Sequence, residues 1–530
     1  MAISSPTRKR APRQLLGRPL TQAALAGVLA AGVVLSVAEL LGTFFTARLT
    51  PLFALGATFI DFTPSWLKDF AIATFGTNDK AALLVGMAAT ILVLACLLGI
   101  LAYRKWWVGV SGVLLMGTVI VACVLTRAGA QQMDVLPTAA GTVAGIVVLR
   151  LLLNLVPRPG TSGQSRAGEG AGSQPGSSRR FFLMAGCTAA AAAVMAVGGQ
   201  MLGAARNAAL QARSALKLPA AARAAPPVPA AVQSRTPGVD PWLTPNDDFY
   251  RIDTALRVPD IDADSWALRV HGLVEEEFTL TFQDLLDADL IEAYVTLACV
   301  SNPVGGELVG NAKWLGLPLR DVLARARPLA GADMMLSTSV DGFTASTPLE
   351  VLQDDRDAIL AVGMNDEPLP LDHGYPVRMV VPGLYGFVSA TKWLVDLEVA
   401  RFADKEAYWT QRGWSERGPI KTMARLEVPR EAARVPAGTV AVGGTALAQH
   451  VGISRVEVQV DGGDWSEARL SEEVTVDAWR QWSFDWDAVP GRHELRARAV
   501  DNSGRIQTEK KADPVPDGAS GWHTITVNVE

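Results

Sequence analysis

Cysteine and histidine are scarce in this 530-residue chain, and both are unevenly placed. Of four cysteines, Cys96, Cys123 and Cys187 lie inside long apolar runs, which leaves Cys299 as the one cysteine of the polar half. A single thiol has no partner for an intramolecular bridge, so a disulfide framework is excluded there. All five histidines (His271, His373, His450, His493, His523) sit in the polar half. The apolar half therefore cannot supply the paired imidazoles that hold a haem between membrane helices. Positive charge is not in surplus either. With 48 Lys+Arg against 53 Asp+Glu the net charge is −5, which leaves no footprint for nucleic acid.

Apolar residues, in contrast, are abundant at 49%, and they concentrate toward the N-terminus. Five stretches approach or exceed the roughly 20 residues needed to cross a bilayer: Pro19 to Phe45, Ala81 to Ala102, Trp106 to Thr126, Val135 to Val156 and Phe181 to Ala205. The first carries Glu39, and the fourth has Arg150 near its end, where a long side chain can snorkel. Between the first two, Pro51 to Phe75 is broken by Asp61, Pro64, Lys68 and Asp69 and reads as an interfacial segment. Basic residues cluster at Arg8 to Arg18, at Arg104-Lys105 and at Arg158 to Arg180. With five spans these clusters share one side, and the positive-inside bias makes that side cytoplasmic.

The expected order is a cytoplasmic tail (1–18), a four-span region (19–156), a flexible Gly/Ser/Pro linker (157–180), a fifth span (181–205) and an exported remainder. The protein is thus expected in a bacterial cytoplasmic membrane, multi-pass, with the polar half outside. Ser178-Arg179-Arg180-Phe181-Phe182-Leu183 resembles a twin-arginine export signal, although paired arginines also serve as plain membrane anchors.

The polar half divides by texture. An Ala/Pro/Arg-rich stretch (206–239) reads as a tether. From 240 to 418, strand-like stretches such as Trp266 to Val270 alternate with helix-like ones such as Phe282 to Leu290, which predicts an α+β domain. From 419 to 530 the pattern is of short alternating strands. Val456 to Val460 runs into the turn Asp461-Gly462-Gly463-Asp464, His493 to Val500 alternates, and Thr524 to Val529 closes the chain. Such a run without helices predicts an immunoglobulin-like β-sandwich.

Cys299 stands in Thr296-Leu297-Ala298-Cys299-Val300-Ser301-Asn302. It is either an inert core cysteine or a thiolate with a task, as soft metal ligand or nucleophile. Further blocks follow in order: Asn311 to Gly316, Met364-Asn365-Asp366-Glu367-Pro368-Leu369-Pro370, His373-Gly374-Tyr375-Pro376-Val377-Arg378, Val381-Pro382-Gly383, and Lys392-Trp393. Over about residues 240 to 530 this series resembles the molybdopterin-dependent oxidoreductases of the sulfite oxidase superfamily. The resemblance implies a molybdenum–molybdopterin cofactor with Cys299 as the metal's protein ligand. It further implies cofactor contacts from Tyr250, Arg251, Ser339, His373, Arg378, Thr391 and Lys392. A soft thiolate beside the pterin dithiolene suits molybdenum, and Arg378 and Lys392 suit the pterin's phosphate. Trp479-Arg480-Gln481-Trp482 and Gly521-Trp522-His523 are similar to the family's dimerisation domain, which implies a homodimer and a catalytic Arg480.

The chain also departs from that pattern. Val300-Ser301-Asn302-Pro303 replaces a segment that carries an arginine, Arg251-Ile252-Asp253-Thr254 replaces Arg-Asn-His, and Phe343 stands where a substrate-side tyrosine is expected. Leu384-Tyr385-Gly386-Phe387 looks closer to the bacterial branch that includes the periplasmic protein-methionine-sulfoxide reductase. The expected activity is two-electron oxo transfer on a small S- or N-oxide or a sulfite-like substrate, with sulfite oxidation proper as the alternative. The electron partner is then a quinone, a cytochrome or a membrane protein. Two readings of other classes compete: a Cys299–His373 peptidase, and a membrane-anchored surface receptor.

Overall fold

The structure, a computed structural model, describes residues 18–42, 54–56, 58, 74, 79–125, 132–157, 176–205, 213–255 and 258–530. The chain splits into two units, Met1–Asn207 and Ala208–Glu530. All but Arg18 of the tail expected over 1–18, most of the interfacial segment and most of the 157–180 linker lie outside the described residues.

In the first unit the apolar runs form helices α1 (Arg18–Gly42), α2 (Asp79–Arg104), α3 (Trp106–Leu125), α4 (Leu136–Asn154) and α5 (Gly176–Ala205). Small residues let the backbones meet. A methyl at Gly27 would fall 2.0 Å from Ala95 O and one at Gly99 2.2 Å from Ala23 O, so α1 and α2 touch main chain to main chain. Glycine at crossings is the usual solution where lipid removes any hydrophobic drive between helices. Arg150 on α4 lays its guanidinium over the Trp106 ring at 4.6 Å, shielding a charge that the apolar run would otherwise expose. Among the described residues four helical windows are long and apolar enough to cross a membrane: Pro19–Gly42, Val85–Arg104, Trp106–Leu125 and Met133–Asn154. The expected fifth span falls in α5, which is rich in alanine and glycine and is not one of those four.

Among the described residues the second unit holds four sheets. One mixed sheet has the order β2 (Phe278–Thr281), β1 (Ala267–Gly272), β10 (Leu394–Ala400), β5 (Met334–Ser339), β6 (Thr344–Pro348). A second has β3 (Ile291–Ala298), β4 (Val309–Pro318), β7 (Ile359–Met364) and β8 (Glu367–Pro368), with β9 (Arg378–Val380) on β7. β7 is buried at every residue, as its continuous apolar run requires, and β3 and β4 at nearly every one, while the short strand β8 is not. The helix expected over Phe282 to Leu290 is shorter, α6 (Phe282–Leu286). A Thr281/Asp284 capping box starts it, and the acids Asp287 and Asp289 follow its end. A second helix, α7 (Leu319–Ala326), buries Leu319, Val322, Leu323 and Ala326 at helical spacing.

The sandwich pairs a sheet β11 (Met423–Val428), β13 (Gly438–Leu447), β17 (Arg480–Ala488), β16 (Arg469–Leu470) with a sheet β12 (Arg434–Val435), β19 (His523–Val529), β18 (Gly491–Asp501), β14 (Ile453–Val460), β15 (Ser466–Glu467). The period-two stretches read from the sequence are β14, β18 and β19, each with alternate residues buried. Two features join the sandwich to the rest of the unit. Thr296 on β3 donates its N–H to Asp477 O (3.0 Å), accepts from Trp479 N–H through Oγ1 (2.8 Å), and takes Gln449 Nε2–H on its carbonyl (2.8 Å). Among its described residues the stretch expected as a tether is helical at 213–215 and otherwise irregular, yet from Arg213 onward it is bonded to the rest of this unit. Arg213 binds Leu369 O and Pro368 O, and Ser234 N–H donates to the Gln481 carboxamide.

Candidate active site

β3 is buried along nearly its whole length, and its end delivers Cys299 into the interior at 9% exposure. The chain then turns. Asn302 N–H donates to Cys299 O (3.1 Å), Cys299 N–H to Leu308 O (2.9 Å), and Leu308 N–H to the Asn302 carboxamide oxygen (3.0 Å). Asn302 thus closes the loop with its side chain, which is the use this residue type has in turns. Cys299 Sγ lies 2.9 Å from Ser301 Oγ. Burial pushes the thiol's pKa up against the pull of the Ser301 hydrogen bonds. Such a thiol becomes a thiolate only against a compensating cation or metal.

The opposite wall is organised by the turn Asp372-His373-Gly374. Two glycine-like backbone states build its setting. Asn365 (φ 50°) and Asp366 (φ 67°) make a two-residue hairpin between β7 and β8. The Asn365 side chain then ties three segments together, donating to Thr244 O and Asn246 Oδ1 and accepting from Lys313 N–H, all at 2.9 Å. This fixes the 244–250 segment, whose Asn246 O accepts His373 Nε2–H at 3.0 Å. Gly374 (φ 113°) lets the turn lie against its neighbours, since a methyl there would meet Arg378 Cβ at 3.0 Å and Lys392 Cβ at 3.1 Å.

Around that turn the structure gathers most of the residues named from the sequence. Arg378 gives Nη1–H to His373 O (3.1 Å) and lies on the Trp314 ring at 5.0 Å. Its other acceptors are the carbonyls of Met379 and Ala390, both at 3.4 Å. Desolvation lowers its pKa to about 10, so it stays cationic. Lys392 Nζ donates to Asp253 Oδ2 (2.8 Å) and Asp372 O (3.0 Å). Burial lowers Lys392 to about 8, although the Asp253 charge opposes this. Arg251 bridges Asp253 (3.1 Å) and Asp372 (3.0 Å). Thr391 Oγ1 is 2.7 Å from Ser337 Oγ. Ser339 ends β5, and its Oγ takes Asp341 N–H (3.5 Å), whose carboxylate holds Thr254 (2.8 Å). Burial, then the Arg378 charge, lowers His373 to about 4, which makes it a neutral donor. Tyr250 links the two walls. It stacks on Phe249, which meets His373 edge-on at 5.5 Å, and burial together with the Cys299 charge pushes its phenol pKa up.

Arg480 is not part of this gathering. Its guanidinium serves the sandwich, donating to Ser471 O (2.9 Å) and Ile453 O (2.8 Å). Two groups beside the site escaped the sequence reading. Asp253 is an acid whose side chain is 3% exposed, and its only signal was its adjacency to Arg251. Tyr385 lies in a cavity beside Ala298 and Asn302, with no sequence signal beyond its place in Leu384-Tyr385-Gly386-Phe387.

Residues 255–409 match the family model of the oxidoreductase molybdopterin binding domain. They are such a domain, of the sulfite oxidase superfamily. Residues 424–527 match the bacterial Ig domain, so the sandwich is one. The chain is 29% identical over 341 residues to mitochondrial sulfite oxidase of Homo sapiens, covering 54% of this chain and 62% of that protein. It is 29% identical over 330 residues to sulfite oxidase of Arabidopsis thaliana, covering 51% and 84%. Among solved structures it is similar to the sulfane dehydrogenase SoxCD of Paracoccus pantotrophus, at 23% identity and a TM-score of 0.47, over 54% of this chain and 83% of that one. The chain spans less than two thirds of the mammalian sulfite oxidases it matches.

A molybdopterin binding domain implies a molybdenum–molybdopterin cofactor. The residues present fit that group. Arg378 is a buried guanidinium whose described acceptors are three carbonyls and no carboxylate, which leaves a positive charge for an anionic group to complete. Lys392 and Arg251 would add cations beside it, and Cys299 would supply the soft donor. When bound, the cofactor supplies two-electron redox chemistry with oxo exchange. The chain's part is to hold it, to keep His373 neutral and to exclude water.

Proposed function

We propose that this chain is a membrane-anchored molybdenum-cofactor oxidoreductase that acts outside the cytoplasmic membrane on a small neutral S- or N-oxide. Cys299 would be the metal's protein ligand. Tyr250, Arg251, Ser339, His373, Arg378, Thr391 and Lys392 would hold the pterin. The observation that carries the reading is the carbonyl-only Arg378 cation on one wall of a site whose other wall is the buried Cys299 thiol.

Charge supports a neutral substrate. Sulfite is a mixture of monoanion and dianion near neutral pH, and gathering it requires surplus positive charge. The cavity by Asn302 has two cations, Lys421 and Arg425, and both are already matched. Lys421 pairs with Asp517 at 2.9 Å, and Arg425 with Asp240 at 2.7 Å and Glu427 at 2.5 Å. Arg480 is spent on sandwich carbonyls. The similarity to sulfite oxidases over more than half of the chain favours the second reading, sulfite oxidation proper. Steady-state assays separate the two. Turnover of dimethyl sulfoxide with reduced viologen is expected to exceed sulfite oxidation with ferricyanide by about tenfold or more in kcat/KM. Efficient sulfite oxidation at low substrate concentration would overturn the preference.

The four apolar helical windows support a membrane anchor, with the α5 run as a fifth span that returns the chain to the outside. Electrons would then come from a quinone, a cytochrome or a membrane protein, and the sandwich would mediate a homodimer. Arg179→Lys with Arg180→Lys is expected to leave the second unit on the cytoplasmic side, protected from protease in spheroplasts. If the double variant is exported with its cofactor, twin-arginine routing is wrong.

A further inference from the structure

The loop after Cys299 and the sandwich enclose a cavity whose lining includes Ala298, Asn302, Gly305, Tyr385, Lys421 and Trp479. Tyr385 is 6% exposed, so its hydroxyl is largely withdrawn from bulk water. A phenol has one proton to give and lone pairs to accept with. Lys421 N–H uses an acceptor direction at 3.4 Å. Among the described contacts no group accepts the phenol's own proton. Leaving a buried O–H without an acceptor costs about 1–3 kcal/mol, so the arrangement calls for a guest with an oxygen.

The ring is held in this pose. Gly518 (φ 96°) lies flat against it, and a methyl at Gly518 would stand 2.7 Å from the phenol oxygen. Lys421 Nζ fixes that seat by donating to Gly518 O (2.6 Å) and pairing with Asp517 (2.9 Å). Ser389 Oγ–H donates to Tyr385 O at 2.9 Å and anchors the backbone below. On the other side Gly386 brings the chain close to Ala298 O, the residue before the thiol, at 3.7 Å from its would-be methyl. Burial, and with it the charges of Asp517 and Cys299, push the phenol's ionisation up, so it remains a donor at neutral pH.

We propose that Tyr385 O–H is the hydrogen-bond donor to the substrate's oxygen, in a chamber roofed by the 517–521 segment of the sandwich. The donor stands in a cavity that Ala298, the residue before Cys299, also lines, and it is neutral. It therefore selects compounds with a polar S–O or N–O bond without demanding net negative charge. No bond to the phenol breaks; the hydrogen bond strengthens as negative charge gathers on that oxygen. This deepens the reading above and rests on it.

The test uses the full, cofactor-loaded chain with dimethyl sulfoxide as probe. Tyr385→Phe removes one atom and keeps the ring, so molybdenum content should match wild type. Two quantities are read: kcat/KM with reduced viologen, and equilibrium affinity from quenching of tryptophan fluorescence, for which Trp479 on the chamber wall is the expected reporter. The variant is expected to lose about 10- to 100-fold in kcat/KM and to bind the probe at least about fivefold more weakly. Gly518→Ala, which pushes the phenol off its seat, should show the same signs. If Tyr385→Phe keeps either quantity within about twofold of wild type, or loses molybdenum, the assignment is wrong. Cys299→Ser run alongside distinguishes the cases. An inactive Cys299→Ser with an unaffected Tyr385→Phe refutes only the donor role. An active Cys299→Ser refutes the underlying reading.

Discussion

Cys299→Ser is expected to abolish turnover, by at least about a thousandfold, while the protein keeps its fold and most of its pterin. Sulfur and oxygen differ here in softness more than in size. The serine hydroxyl fits the same buried position, and the contact to Ser301 Oγ survives as an ordinary hydroxyl pair. What is lost is the thiolate, the soft donor that a metal already bound by pterin sulfurs prefers. The pterin's other expected contacts, Arg378, Lys392 and the Asp372-His373-Gly374 turn, lie on separate strands and loops from the Cys299 loop. Retention and activity should therefore part company. Pterin fluorescence after acid release, metal analysis and viologen-coupled turnover measure the three quantities on one preparation. A serine variant within about tenfold of wild-type activity would remove Cys299 from the metal's ligand set.

How much of this was legible beforehand depends on the length scale of each cause. Strand identity in the sandwich is a local matter. Val456 to Val460 and Thr524 to Val529 alternate because one face is buried, and both are strands with that burial. Helix length was less legible, because α6 ends where Asp287 N–H closes on Gln283 O and Leu285 O rather than where hydrophobic content runs out. The packing of residues 213–239 against the rest of the second unit left no trace of periodicity, since it depends on single partners such as Gln481, 247 residues from Ser234. The candidate site shows the same division. Residue types with few alternative uses, a lone thiol and a run of His, Arg and Lys, could be picked out from order alone. Pairing could not. Nothing in the sequence says that Lys392 spends its charge on Asp253, that Arg480 serves the Ser471 and Ile453 carbonyls, or that the Tyr385 ring rests on Gly518. These are long-range contacts, and they decide the charge of the site.

Arg378 gives the second large expected effect, and it has opposite signs in two states of the protein. In the cofactor-free chain Arg378 is a buried cation held by three carbonyls and a tryptophan face. Burying an ion without a counter-ion costs several kcal/mol, which those contacts offset only in part. Burial lowers its pKa to about 10, a measure of that cost, yet leaves it charged at neutral pH. Arg378→Met removes the charge and keeps an unbranched side chain against the Trp314 ring, at the expense of three carbonyl hydrogen bonds. The cofactor-free variant is therefore expected to melt no lower than cofactor-free wild type. In the loaded protein the same guanidinium would meet the pterin's anionic group, a charged hydrogen-bonded contact worth about 1.5–3 kcal/mol per bond. Its loss should cut cofactor occupancy at least about tenfold at equal molybdenum supply, and with it any stabilisation that loading confers. Arg378→Lys, which keeps a point charge without the planar fork, should fall between the two. Differential scanning fluorimetry on both states, with molybdenum and pterin content, reads the sign in each. If Arg378→Met destabilises the cofactor-free chain and leaves occupancy intact, Arg378 is a structural brace, and the cation that completes the pterin site must be sought at Lys392 and Arg251.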